Sequence, residues 1–117
     1  MPKQNYFTQG QLTDLAYLVL LTLTKPCHGY LIMSEIGSLT NGEFTIGSAS
    51  LYGTLKKLME SNYINLISTD EKKKIYWITQ MGLETLRIES EKRRNLADLG
   101  IKSIKAFEEE NHEEAIL

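Results

Sequence analysis

Apolar residues fill positions 12–24 almost without regard to helical phase: Leu12, Leu15, Ala16, Tyr17, Leu18, Val19, Leu20, Leu21 and Leu23. A helix of that kind needs cover on more than one side, and Pro26 stops it. A second helix is predicted over 29–39, where Ile32, Met33, Ile36 and Leu39 recur at helical spacing opposite Ser34, Glu35 and Ser38. Thr40-Asn41-Gly42 then reads as a stop and turn. A third helix is predicted over 48–61, with Gly47 or Ser48 near its N-cap. Its inward stripe is Leu51, Leu55, Leu58 and Met59.

After that the period changes. Residues 63–68 and 75–79 are rich in β-branched and aromatic side chains, and the polar run 69–74 between them makes a hairpin with a basic tip. Trp77 points to the sheet face opposite Tyr76 and Ile78; its expected role is structural, the alternative for an exposed Trp77 being interaction with DNA or a ligand. Thr79 is the expected N-cap of a last helix over 80–107 or a little beyond. Its first part offers Leu83 and Leu86 for packing. Beyond a charged stretch at 89–95, a wide apolar face follows, including Leu96, Leu99, Ile101, Ile104 and Phe107.

This order predicts a mainly α fold with a small β-hairpin: a winged helix-turn-helix over 1–79, with its wing at 63–79. A long dimerisation helix over 80–107 and an acidic tail over 108–117 complete the chain. The third helix presents Ser48, Ser50, Tyr52, Thr54, Lys56 and Lys57, with Ser61 also expected outward and Gly53 at the margin; hydroxyls and lysines with few acids suit a DNA groove. Lys72, Lys73 and Lys74 at the wing tip suit phosphate contact. Surplus apolar surface at Leu15, Leu18 and Val19, and again at Leu96, Leu99, Ile101, Ile104 and Phe107, points to a two-fold dimer. On this account a chain cut before Leu96 is expected to be poorly soluble or unfolded and no longer to bind DNA.

Charge qualifies the picture without reversing it. The 117 residues carry a net −2. Setting aside the five tail glutamates of 108–117 leaves 13 basic against 10 acidic side chains, a net +3. Lys92-Arg93-Arg94 lies beside Glu89 and Glu91, so helical pairing is expected to neutralise much of it. One cysteine precludes an internal disulfide or a cysteine-based zinc site within one chain. In Cys27-His28, His28 is expected to cap the second helix and Cys27 to pack as a small apolar group. No paired-carboxylate, Ser-His or glycine-rich phosphate constellation stands out, so neither enzyme activity nor a cofactor is expected. The polar first ten residues and the short apolar run 15–23 predict a cytoplasmic protein without a membrane span.

Three segments carry a family resemblance: His28-Gly29-Tyr30, Ser50-Leu51-Tyr52-Gly53-Thr54-Leu55-Lys56-Lys57-Leu58, and Tyr76-Trp77-Ile78-Thr79-Gln80-Met81-Gly82. In this order and spacing, over 12–86, the chain resembles the PadR family of bacterial transcriptional regulators. The resemblance implies a homodimer on palindromic operator DNA, usually a repressor, with the first and last helices at the interface. It also matches Tyr52 and Lys56 to the family's tyrosine and basic position on the recognition helix. Gly53 stands where relatives commonly have proline, and Asn62 where many have glycine. The only tryptophan, Trp77, lies in the wing, which argues against a drug pocket between paired tryptophans on the last helix. The alternative is a winged-helix protein-interaction module without DNA binding, for which an apolar or acidic recognition face is expected. A small-molecule effector of unspecified identity is compatible with the first reading.

Overall fold

The computed structural model describes residues 7, 11–68 and 73–111. Helix α1 (Asp14–Thr22) is followed by a two-residue strand β1 (Cys27–His28), a 3₁₀ turn (Gly29–Leu31) and α2 (Ile32–Leu39). Then come α3 (Ser48–Glu60), strands β2 (Ile64–Leu66) and β3 (Ile75–Ile78), and the long α4 (Gln80–Asn111). The three strands are antiparallel in the order β1-β3-β2. Strand β1 was not legible as a strand: two residues carry no period.

Helix α1 starts at Thr13, whose hydroxyl accepts the Ala16 N–H at 3.1 Å. It packs against α2, α3 and α4. Three neighbours in one protomer therefore cover most of its apolar surface. Leu18 and Val19, expected at a dimer interface, belong instead to the protomer's own core, with Val19 at 0% exposure. Leu15 is half-buried and keeps some surface. The surplus inferred from α1 is thus largely accounted for inside one chain.

Helix α3 ends in a Schellman arrangement. Tyr63 N–H donates to Leu58 O at 2.9 Å and Asn62 N–H to Met59 O at 3.0 Å, which places Asn62 at φ 63°. Asparagine tolerates this left-handed position better than other side chains, but glycine meets it without strain. Asn62→Gly is expected to stabilise the fold by a few tenths of a kcal/mol to about 1 kcal/mol, read as a rise in the urea midpoint at unchanged m.

Thr79 caps α4 as expected, accepting the Gly82 N–H at 2.9 Å, while its hydroxyl donates to Asn62 O at 2.6 Å. The helix continues to Asn111, so Glu108, Glu109 and Glu110 are helical rather than part of a tail. Residues 112–117 of the expected tail lie outside the described residues. The first half of α4 buries Gly82, Thr85, Leu86 and Glu89. From Arg94 to its end every residue is exposed, so the distal half is an arm projecting from a 62 × 31 × 22 Å molecule.

Candidate nucleic-acid interface

The inward stripe of α3 is fully committed to the core: Leu51, Leu55 and Leu58 are at most 2% exposed. That commitment fixes the rotation of the helix and turns the opposite residues outward. Ser48, Ser50, Tyr52, Lys56 and Lys57 are exposed and Thr54 is half-buried. No acid interrupts this face before Glu60. Gly53 sits among these residues with nothing within 4 Å of where a Cβ would be, so no internal contact demands a glycine there.

The wing is tied to the helix-turn-helix through β1. Cys27 pairs with Tyr76 and His28 with Ile75, and Gly29 N–H donates to Lys74 O at 3.0 Å. A Cβ on Gly29 would come within 3.1 Å of the Tyr76 ring, which accounts for glycine in His28-Gly29-Tyr30. Burial pushes the Tyr76 phenol up from its ordinary pKa, with a smaller contribution from Tyr52. Lys73 and Lys74 are exposed immediately before β3, and Lys72 lies outside the described residues. Trp77, opposite Asn65, is exposed on the outer sheet face while Tyr76 is buried, so the expected alternation holds.

His28 immediately precedes the 3₁₀ turn, but its side chain makes no capping bond, and its Nδ1 is buried without a partner among the described residues. It serves as a strand residue, contrary to the expected cap. Cys27 is buried as expected; burial, then the Glu35 charge, raise its thiol pKa despite Lys25, which disfavours the reactive thiolate.

The basic run at 92–94 is held as expected by its neighbours. Arg94 pairs with Glu91 and Arg93 with Glu89. What the sequence did not reveal is the reach of Arg93. Its Nη1 donates to Asp14 Oδ1 at 2.7 Å, its Nη2 to Leu12 O at 3.0 Å and its Nε to Glu89 Oε1 at 3.0 Å. The guanidinium also lies 4.3 Å from the centre of the Tyr17 ring. Desolvation lowers the Arg93 pKa, but the bonds and charges of Asp14 and Glu89 outweigh it and leave the value raised. The i,i+4 spacing of Glu89 and Arg93 was a visible signal; Asp14, 79 residues away, gave none.

A helix-turn-helix whose third helix is exposed, flanked by a hairpin and fed by a short third strand, is a winged-helix domain. The chain matches the model of the transcriptional regulator PadR-like family over residues 18–88 and belongs to that family, which consists of regulators and not enzymes. An uncharacterised protein of Lysinibacillus sphaericus is 35% identical over 69 residues, covering 56% of this chain and 63% of that protein. The chain therefore spans somewhat less than two thirds of that relative's length. Among solved structures, a transcriptional regulator from Clostridium thermocellum superposes with a TM-score of 0.61 at 23% identity, covering 80% of this chain and 88% of that one. RosR of H. salinarum gives 0.60 at 17% identity, with coverage of 81% and 96%. These two similarities carry the fold.

Proposed function

We propose that the chain is a sequence-specific DNA-binding regulator that acts as a homodimer on palindromic operator DNA, as a repressor. The observation that carries this reading is the outward face of α3, hydroxylic and basic and free of acids before Glu60, set beside the exposed wing lysines. An interaction module would favour apolar or acidic side chains there. In this reading α3 lies in the major groove, where Ser50, Thr54 and Lys57 select bases. Tyr52 and Lys56 stay near the backbone, with Ser48 at the helix start. Lys72, Lys73 and Lys74 supply phosphate contacts.

The dimer is supported by the arm. Leu96, Leu99, Ile101, Ile104 and Phe107 are each 49–61% exposed along little more than three turns of helix. A second copy covers the same stripe on both chains, with Leu15 at its edge, and brings two α3 helices toward successive major grooves about 34 Å apart. Among the described residues no helix is long and apolar enough to cross a membrane, and the proposed site of action is the cytoplasm, with the DNA.

Binding to the DNA upstream of the chain's own gene, titrated by gel shift or anisotropy at several salt concentrations, tests the proposal. Replacing Lys72, Lys73 and Lys74 with alanine is expected to weaken binding to all sequences alike. It should also flatten the log-affinity against log-salt slope by about one unit for each phosphate no longer neutralised. Substituting Ser50 or Thr54 is expected to shift base preference, each good base-edge interaction being worth about 1–3 kcal/mol of discrimination. Failure of the wild-type chain to bind any duplex would overturn the function. A triple lysine variant that keeps its affinity but loses sequence preference would overturn the division between wing and helix.

A further inference from the structure

Helix α4 is fastened to the domain along a stretch whose two ends are Gly82 and Arg93. Near its start, Gly82 lies so close to the domain that a Cβ would fall 2.1 Å from Tyr63 O, a contact with backbone that leaves no play. Eleven residues on, Arg93 grips the N-terminal end of α1 through Asp14, the Leu12 carbonyl and Tyr17. Arg93 is the last half-buried residue of α4. Between the two ends Thr85, Leu86 and Glu89 are buried and the Tyr17 and Ser90 hydroxyls share a hydrogen bond of 2.8 Å, so that Arg93 sets the outer limit of the contact.

The mechanics follow from helical rise. The two fastenings are about 16 Å apart and the end of the helix lies about 43 Å from the first, at 1.5 Å per residue. Any sideways play at Arg93 is therefore magnified roughly two and a half times at the end of the arm. A movement of about 3 Å at Arg93 swings the arm by about 10° and its end by about 8 Å, more than two base-pair steps of DNA.

Building on the dimeric operator reading above, we infer that Arg93 is a positioning residue. By fixing the angle between the domain and the arm, it sets the separation of the two recognition helices and hence the operator half-site spacing. It touches no DNA in this role and acts through α1. Glu89 is a supporting part: it is buried, with Oε1 held by Arg93 and Oε2 without a partner among the described residues. Removing Arg93 strands that carboxylate, so Arg93→Gln puts folding at risk. Asp14 is the safer handle, because its side chain is 69% exposed and its loss strands nothing.

The test uses the full chain and a palindrome selected with it from a random library, rebuilt with half-sites moved apart or together by one and two base pairs. The wild type is expected to favour one spacing sharply. Asp14→Asn is expected to narrow that preference by roughly threefold, the size a half-exposed ion pair can supply. Arg93→Gln is expected to narrow it on the order of tenfold, with Arg93→Lys between wild type and Arg93→Gln because it keeps the charge but loses the fork. Base preference within a half-site should not change, which a merely destabilised protein would not guarantee. In parallel, spin labels at Ser38→Cys report the distance between domains without DNA; the native Cys27 is buried and does not compete for label. That distance distribution is expected to broaden in Asp14→Asn. Folded, dimeric variants with unchanged spacing ratios and unchanged distances would overturn the inference while leaving the operator reading intact. A wild-type chain that is monomeric, or that binds no duplex, overturns the operator reading and this inference with it.

Discussion

Replacing Gly82 with alanine is expected to lower the melting temperature by about 5–20 °C, because Gly82 has the least room for a Cβ among the glycines of the described residues. The added Cβ would lie 2.1 Å from Tyr63 O, 2.9 Å from the Tyr63 carbonyl carbon and 2.9 Å from Ile78 Cγ1. The Tyr63 carbonyl has no freedom to retreat: it accepts the Thr79 N–H at 2.9 Å, at the residue that caps α4. Relief therefore requires α4 to lift, which weakens the cap and pulls Leu86 from the core. Overpacking of this kind costs about 1–3 kcal/mol, and a broken cap about 1 more. The helix propensity gained by alanine returns up to about 1 kcal/mol, leaving a net loss of about 1–4 kcal/mol. Gly53→Ala is the control, since its Cβ enters open space and should gain up to about 1 kcal/mol. Both are read from thermal melts at one chain concentration, because the stability of the proposed dimer would depend on it. A shift of less than about 3 °C in Gly82→Ala would show that the close approach is not rigid.

The elements with a long, strong period were legible in the sequence, and those fixed by distant partners were not. α3 showed its leucine stripe at helical spacing, and most of its outward face followed, so Ser48, Ser50, Tyr52, Thr54, Lys56 and Lys57 stand exposed or half-exposed. Ser61, expected on the same face, is instead buried because it is the C-cap, where the chain leaves the helix. Thr79 announced the start of α4 by chemistry that operates within three residues. By contrast, β1 exists because His28 and Cys27 meet β3 about 50 residues later, and no local pattern records that pairing. The same limit hid the Arg93 grip on α1. It also explains the misassignment of Leu18 and Val19. Periodicity showed that α1 is apolar on all sides, but not whether α2, α3 and α4 or a second chain provide the cover.

That misassignment changes the outcome expected of truncation. With α1 uncovered, a chain lacking the arm would be expected to collapse; with α1 buried inside the protomer, it should not. The buried residues of α4 end at Glu89 and the last half-buried one is Arg93. A chain ending at Arg94 therefore keeps every fastening of α4 to the domain, including the Asp14 and Leu12 bonds. It is expected to be soluble, to melt cooperatively and to sediment as a monomer at low micromolar concentration. Removing the apolar stripe from Leu96 to Phe107 also removes the largest run of exposed apolar side chains on α4. On the proposed dimeric operator reading, what disappears is the link between two half-sites. A dimer engages the second half-site at the high effective concentration set by the first, and without that coupling binding to the full palindrome is expected to weaken by about 10²–10⁴-fold. Binding to a single half-site should be nearly unchanged, because α3 and the wing are untouched. Sedimentation and anisotropy on full and half palindromes separate the outcomes. An unfolded truncated chain would show that the arm contributes to the domain's own core. A truncated chain that stays dimeric would place the interface elsewhere, on α1 or on the head itself.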